Sequence, residues 1–137
     1  MIEKPARIAQ KHPFGCAIAC VAMATGLDYD EIIKDFSGYN FNEGGVDHQC
    51  VEDYLAERGY ATRRIFVHAG YKRKDRDVWP CAPFADVHIV CGVRDGYGHS
   101  VIWLRDGTVI DPARENPGPL DKLEKLYSIA AIYKVAP

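Results

Sequence analysis

Residues 14–25, Phe-Gly-Cys-Ala-Ile-Ala-Cys-Val-Ala-Met-Ala-Thr, constrain the chain more than any other stretch. They are apolar, rich in Ala and Cys, and closed by Gly26. A helix that is apolar all round has no face for water and must be enclosed. Residues 14–25 are expected to form a buried helix, with Pro13 and Gly15 turning the chain at its start. The unbroken apolar run, residues 16–24, is about half the ~18 residues that suggest a membrane span. The enclosure is therefore protein. At 137 residues the chain is long enough for a hydrophobic core in one domain, residues 1–137.

Further helix signals follow at once. Asp28-Tyr-Asp-Glu31 has the form of a capping box, and a short amphipathic helix after it should bury Ile32, Ile33 and Phe36. Residues 37–45 form a loop with three glycines, and a third helix is expected over 47–58, stopped by Gly59. Strand patterns then take over at 62–67, 87–93, 99–104, 108–111 and 127–135. Residues 70–77 read as a charged loop, and Trp79-Pro80 with Pro83 breaks regularity further. Helices first and an antiparallel sheet afterwards make an α+β arrangement. The strands 87–93 and 99–104 are apolar on both faces, so helices should cover one side and a second layer the other.

Charge and cysteine usage narrow the function classes. Seventeen Lys+Arg against nineteen Asp+Glu give a net charge of -2, which argues against a general nucleic-acid binder. Five cysteines, at 16, 20, 50, 81 and 91, include no Cys-x-x-Cys pair. Free thiols in a reducing cytosol are expected, and the N-terminus Met-Ile-Glu-Lys-Pro lacks the apolar region of a secretory signal. The cytoplasm is the expected location, with no membrane partner and no cofactor. The pattern sets no oligomeric state.

Four residues stand where chemistry could use them. Cys16 lies in the first turn of the buried helix, where unpaired N–H groups and the helix dipole favour a thiolate. Cys20, one turn deeper, should behave as a small core hydrophobe. His99, in Gly96-Tyr-Gly-His99-Ser-Val-Ile-Trp103, is delivered by a flexible Gly-rich loop to the first position of a strand, as a general base requires. Asp111, before Pro112, ends the next strand and could orient the histidine ring. Gln10, six residues before Cys16, could add an amide donor to the Cys16 N–H at an oxyanion.

The loop Arg105-Asp106-Gly107 decides whether His99 and Asp111 can meet. A two-residue turn would place Ile102 opposite Asp111 and put the two side chains on opposite faces. A three-residue loop places Val101 opposite Asp111, with His99 a diagonal neighbour on the same face. Gly107 in a left-handed conformation suits a type I turn with a G1 bulge, so the three-residue loop is expected.

These residues together resemble the papain-like cysteine peptidases, specifically the bacteriocin-processing (double-glycine leader) peptidase family and its stand-alone relatives. The family pattern is a glutamine, five residues, then Cys-Gly-x-Ala-Cys-x-Ala-Met. Here it reads Gln10-Lys-His-Pro-Phe-Gly-Cys16-Ala-Ile-Ala-Cys20-Val-Ala-Met23, followed by Gly98-His99-Ser-Val-Ile-Trp103 and Ile110-Asp111-Pro112. The resemblance implies a papain-like fold, Cys16 as nucleophile, His99 as general base, Asp111 as its orienter and Gln10 as oxyanion donor. It further implies hydrolysis of a peptide, isopeptide or amide bond in a peptide or protein substrate, through a thioester. Ala17 stands where the family often has glycine, and the twelve-residue step from His99 to Asp111 is short for it. No transporter segment is attached, so cleavage coupled to export is not expected.

Other readings compete. The same fold without turnover would be a module that binds a partner protein through its cleft. The same triad could transfer its acyl group to an amine. His12, Cys16 and Cys20, or Cys81, His88 and Cys91, are loose candidates for zinc, weakened by Pro13 and the missing Cys-x-x-Cys. His48, His68, His88 and Cys50 read as surface or helix-face residues, although Asp47 and His48, at a helix start, could border the cleft. Asp47 reads as an N-cap, and residues 72–76 read as a solvated charge run. Trp79 and Phe84 read as core or pocket wall, and residues 36–46 and 70–84 as the loops that would set specificity.

Overall fold

Helices form where the caps stand. The structure, a computed structural model, describes residues 4–66, 85–115, 123 and 125–135. Among these, α1 spans Cys16–Thr25, α2 Tyr29–Asp35 and α3 His48–Glu57. The first ends at Gly26, whose φ of 77° is left-handed and whose N–H reaches Ala22 O. Asp28 caps α2 by accepting the N–H groups of Asp30 and Glu31, and Asp47 caps α3 by accepting that of Cys50. Ile32 and Phe36 are buried as expected, while Ile33 is half-buried against the same core.

The strands are β1 (Tyr60–Phe66), β2 (Val87–Arg94), β3 (Tyr97–Leu104), β4 (Val109–Ile110) and β5 (Lys125–Lys134). They form one sheet in the order β1-β5-β2-β3-β4, with every neighbouring pair antiparallel. The protein is thus a mixture of helices and antiparallel sheet. Helix α1 packs on β3 and α3 on β1, so both helices lie against the same sheet. No helix among the described residues is long and apolar enough to cross a membrane.

The apolar segment is enclosed as its composition requires: residues 17–24 of α1 are all buried. They join Ile32, Leu55, Val87, Ile89, Ile102 and Ile132 in the main core. Each large aliphatic side chain there contributes about 1.5–3 kcal/mol by leaving water. Val90, Val101, Trp103, Leu126 and Ile129 form a second cluster, completed by Leu123. No helix among the described residues belongs to this second cluster.

Several boundaries differ from the sequence reading. Helix α1 starts two residues later than expected, because Gly15 N–H turns back to His12 O and Phe14 N–H is taken by Phe41 O. Strands β1 and β5 each begin two residues earlier, and in both cases cross-strand pairing extends the pattern (Tyr60 opposite Lys134, Val93 opposite Lys125). Before His99 there is a two-residue turn and not a flexible loop. Asp95 (φ 53°) and Gly96 (φ 82°) are both left-handed, Arg94 lies opposite Tyr97, and His99 is the third residue of β3. His88 is fully buried and not on the surface. Its Nε2 accepts the Ala85 N–H at 3.2 Å, and its Nδ1 lies 3.1 Å from Trp103 O. Val67, His68, the loop at 70–77, Trp79, Cys81 and Phe84 lie outside the described residues.

Candidate active site

Cys16 occupies the first position of α1, with Gly15 as N-cap. The turn before it is packed so closely that a Cβ on Gly15 would collide with Tyr29 Oη. That hydroxyl lies 2.9 Å from His12 Nδ1, and the Tyr29 and His12 rings stack with centroids 5.7 Å apart. The start of the helix is therefore fixed by α2 from one side. On the other side Phe14 N–H binds Phe41 O at 2.9 Å. A nucleophile here cannot drift with its loop.

His99 and Asp111 meet through the hairpin between β3 and β4. Ile102 pairs with Ile110, Leu104 N–H binds Thr108 O at 2.9 Å, and Gly107 is left-handed with φ 88°. This is the three-residue loop, and its register continued by one step sets Val101 opposite Asp111. His99 Nε2 lies 2.8 Å from Asp111 Oδ1. Across β2, the residue directly opposite His99 is Gly92, which has no side chain.

Asp111 is 1% exposed, yet it remains a carboxylate. Burial pushes its pKa up, but the hydrogen bonds from His99, Arg94 and the Ala113 N–H outweigh burial and hold it at about 2. Arg94 Nη1 forms an ion pair with Oδ2, and the Ala113 N–H donates to Oδ1 at 2.8 Å. The backbone behind it is also clamped. Arg7 donates to the carbonyls of Asp111 and Pro112 at 2.8 and 3.2 Å, and the Gln10 N–H to Pro112 O at 2.9 Å.

That fixed negative charge acts on the ring. Burial alone would lower the His99 pKa, but the hydrogen bond and charge of Asp111, with those of Cys16, raise it above 6.5. Since Nε2 is committed to Asp111, Nδ1 is left for the thiol. Burial pushes the Cys16 thiol up, but the hydrogen bond and charge of His99 and bonds from the Ser100 N–H and hydroxyl bring it below 9.0. The two shifts run in the same sense, each towards a thiolate beside an imidazolium.

Gln10 sits differently. Its amide nitrogen donates to His12 O at 3.0 Å and Pro13 O at 3.1 Å, while its Oε1 is buried with no partner. It braces the turn before Cys16 and is not among the cavity-lining residues. Cys20 is fully buried, and burial raises its pKa well above 9.0. His12, of the first zinc trio, is engaged with Tyr29, and Cys81 of the second lies outside the described residues. No group of three or more His, Cys, Asp or Glu that could hold a metal is gathered among the described residues.

Sequence reasoning missed Ser100, Arg94 and Arg7, and preferred a surface or helix-face role for His48. Ser100 is a buried hydroxyl touching both Cys16 and Cys91, the latter at 3.3 Å. Its signal was a lone Ser in an apolar strand directly after His99. His48, half-buried at the start of α3, lines the same cavity as Cys16, and its Nδ1 lies 2.8 Å from Ser128 Oγ. Arg94 and Arg7 gave no signal, because they reach Asp111 through cross-strand and terminal contacts. No family model and no curated protein matches this sequence.

Proposed function

We propose that this chain is a cysteine peptidase-like hydrolase of papain-like fold, cleaving a peptide, isopeptide or amide bond in a peptide or protein substrate. The observation that carries the reading is the chain of contacts from Cys16 through His99 to Asp111, with Cys16 more acidic and His99 more basic than usual. The Cys16 thiolate attacks the carbonyl carbon, and the carbonyl π electrons move to oxygen. That oxyanion is met by the Cys16 N–H, one of the first-turn groups with no partner inside the helix. As the tetrahedral intermediate collapses, the C–N bond breaks and imidazolium His99 gives its proton to the leaving amine. His99, now neutral, takes a proton from water, and hydroxide addition to the thioester releases the acid and restores the thiolate. Asp111 stays ionised throughout and keeps the ring in place. Gln10 joins the oxyanion site by releasing one of its two carbonyl partners.

The test is acylation by a p-nitrophenyl ester followed by intact-protein and peptide mass spectrometry. One acyl group on Cys16, absent in Cys16→Ala and strongly slowed in His99→Ala, is the expected result. Acylation that survives Cys16→Ala contradicts the reading. A second reading, a catalytically silent module of the same fold that binds a partner protein, draws on Gln10, whose amide is turned into its own loop. It predicts that Cys16 labels no faster than Cys50.

A further inference from the structure

The cavity at Cys16 is larger than the proposed reaction needs. It measures about 380 Å³, and Cys16 and His99 are among the residues that line it. Strand β3 contributes only Gly98, His99 and Ser100 to it, whereas Arg64 comes from β1. In the sheet order β1-β5-β2-β3-β4 those strands are three steps apart, or about 14 Å at the usual strand spacing. The cavity therefore extends across the sheet, beneath α3, away from the histidine.

Its walls are apolar: Ala17, Val46, Val51, Leu55, Ile89 and Ala130 all face it. The charged groups at the far end face each other, and the buried Glu52 Oε2 makes no hydrogen bond. Arg64 pairs with Glu52 at 2.8 Å, and Glu52 also accepts the Thr62 hydroxyl at 2.9 Å. Burial and the Arg64 charge lower the His48 pKa, which favours the neutral ring beside Ser128. A charged group entering this space would lose water, and an anion would find Arg64 already paired with Glu52. An uncharged apolar group would lose only its unfavourable hydration.

We infer that this cavity is the acyl-side specificity pocket, and that it takes an elongated, uncharged apolar group attached to the carbonyl that Cys16 attacks. The inference rests on the function proposed above. It is the acyl group that must be held, because it stays bonded to sulfur until water cleaves the thioester. The leaving group, by contrast, departs from the His99 end after taking the imidazolium proton. Two sources supply such a group, a large amino-acid side chain and a straight acyl chain.

Alkylation of Cys16 tests this without a known substrate. Iodoacetamide is compared with its N-hexyl, N-phenethyl and N-(5-carboxypentyl) derivatives, and the rate at Cys16 is read by mass spectrometry with Cys50 as internal reference. The hexyl or phenethyl reagent should label Cys16 at least tenfold faster than iodoacetamide, after normalisation to Cys50. The carboxypentyl reagent should gain nothing. A hexyl preference identifies a straight acyl chain, and a phenethyl preference an aromatic side chain. In Ala130→Leu and in Val51→Phe, two independent ways of filling the cavity, the apolar-to-small ratio should fall toward one. Fast Cys16 labelling with equal rates for all four reagents overturns the pocket and leaves the hydrolase reading intact. Cys16 labelling no faster than Cys50 overturns both.

Discussion

Cys16 and Cys91 touch the same hydroxyl, that of Ser100, and lie on opposite sides of ordinary thiol acidity. Burial drives both upward. For Cys91 little opposes it, and the thiol is pushed to about 11, so it keeps its proton at neutral pH. For Cys16 the imidazole of His99, backed by Asp111, reverses the direction. Cys20, one turn along the same helix, has no such partner and is raised like Cys91. Neither burial nor a nearby hydroxyl brings a thiol below 9.0 in this cavity. One ring with a carboxylate behind it does.

Removing that ring should erase the difference. In His99→Ala, Cys16 should become another buried thiol, and its alkylation by iodoacetamide near pH 6.5 should slow about 100-fold as the thiolate fraction collapses. A change of less than threefold would break the comparison. Asp111→Asn is the next largest test. Without the carboxylate, His99 should lose most of its raised basicity, and Cys16 labelling near neutral pH should fall about tenfold.

The same substitution has a stability signature with a definite sign. The folded pKa of Asp111, about 2, lies below the unfolded value. Its contribution, about 2 kcal/mol, is therefore complete above about pH 5 and lost as pH falls towards about 2. Urea unfolding between about pH 5 and pH 2 should show this loss in the native chain and a shallower acid slope in Asp111→Asn. Ser100→Ala is the smallest and sharpest test. Both thiols lose a lowering contact, so Cys16 should label two- to fivefold more slowly. Cys91 should become still less reactive, and the order of the two should stay unchanged.

Much of this was readable along the chain because it is local. Gly107 fixes the β3–β4 register because only a left-handed residue closes that loop, and the register alone brings His99 to Asp111. Gly15 and Pro13 mark where α1 begins. The Asp95-Gly96 dipeptide also carried its turn type, but the glycines around it suggested looseness where the pairing of Arg94 with Tyr97 makes a tight hairpin. What was not readable comes from distant contact. Arg94 reaches Asp111 across the sheet, Arg7 from the N-terminal segment, and Ser128 reaches His48 from the far end of the chain. His88 looked like a surface residue because its partners, Ala85 N–H and Trp103 O, are supplied by folding.

The pH dependence of Cys16 alkylation, measured from about pH 4 to pH 10 in the native chain and in His99→Ala, reads the ion pair itself. The native rate should persist well below the ordinary thiol value of 9.0 and then fall in acid, whereas in His99→Ala it should rise only above that value. Native and variant profiles that coincide, both rising near 9.0, would show that no thiolate–imidazolium pair exists.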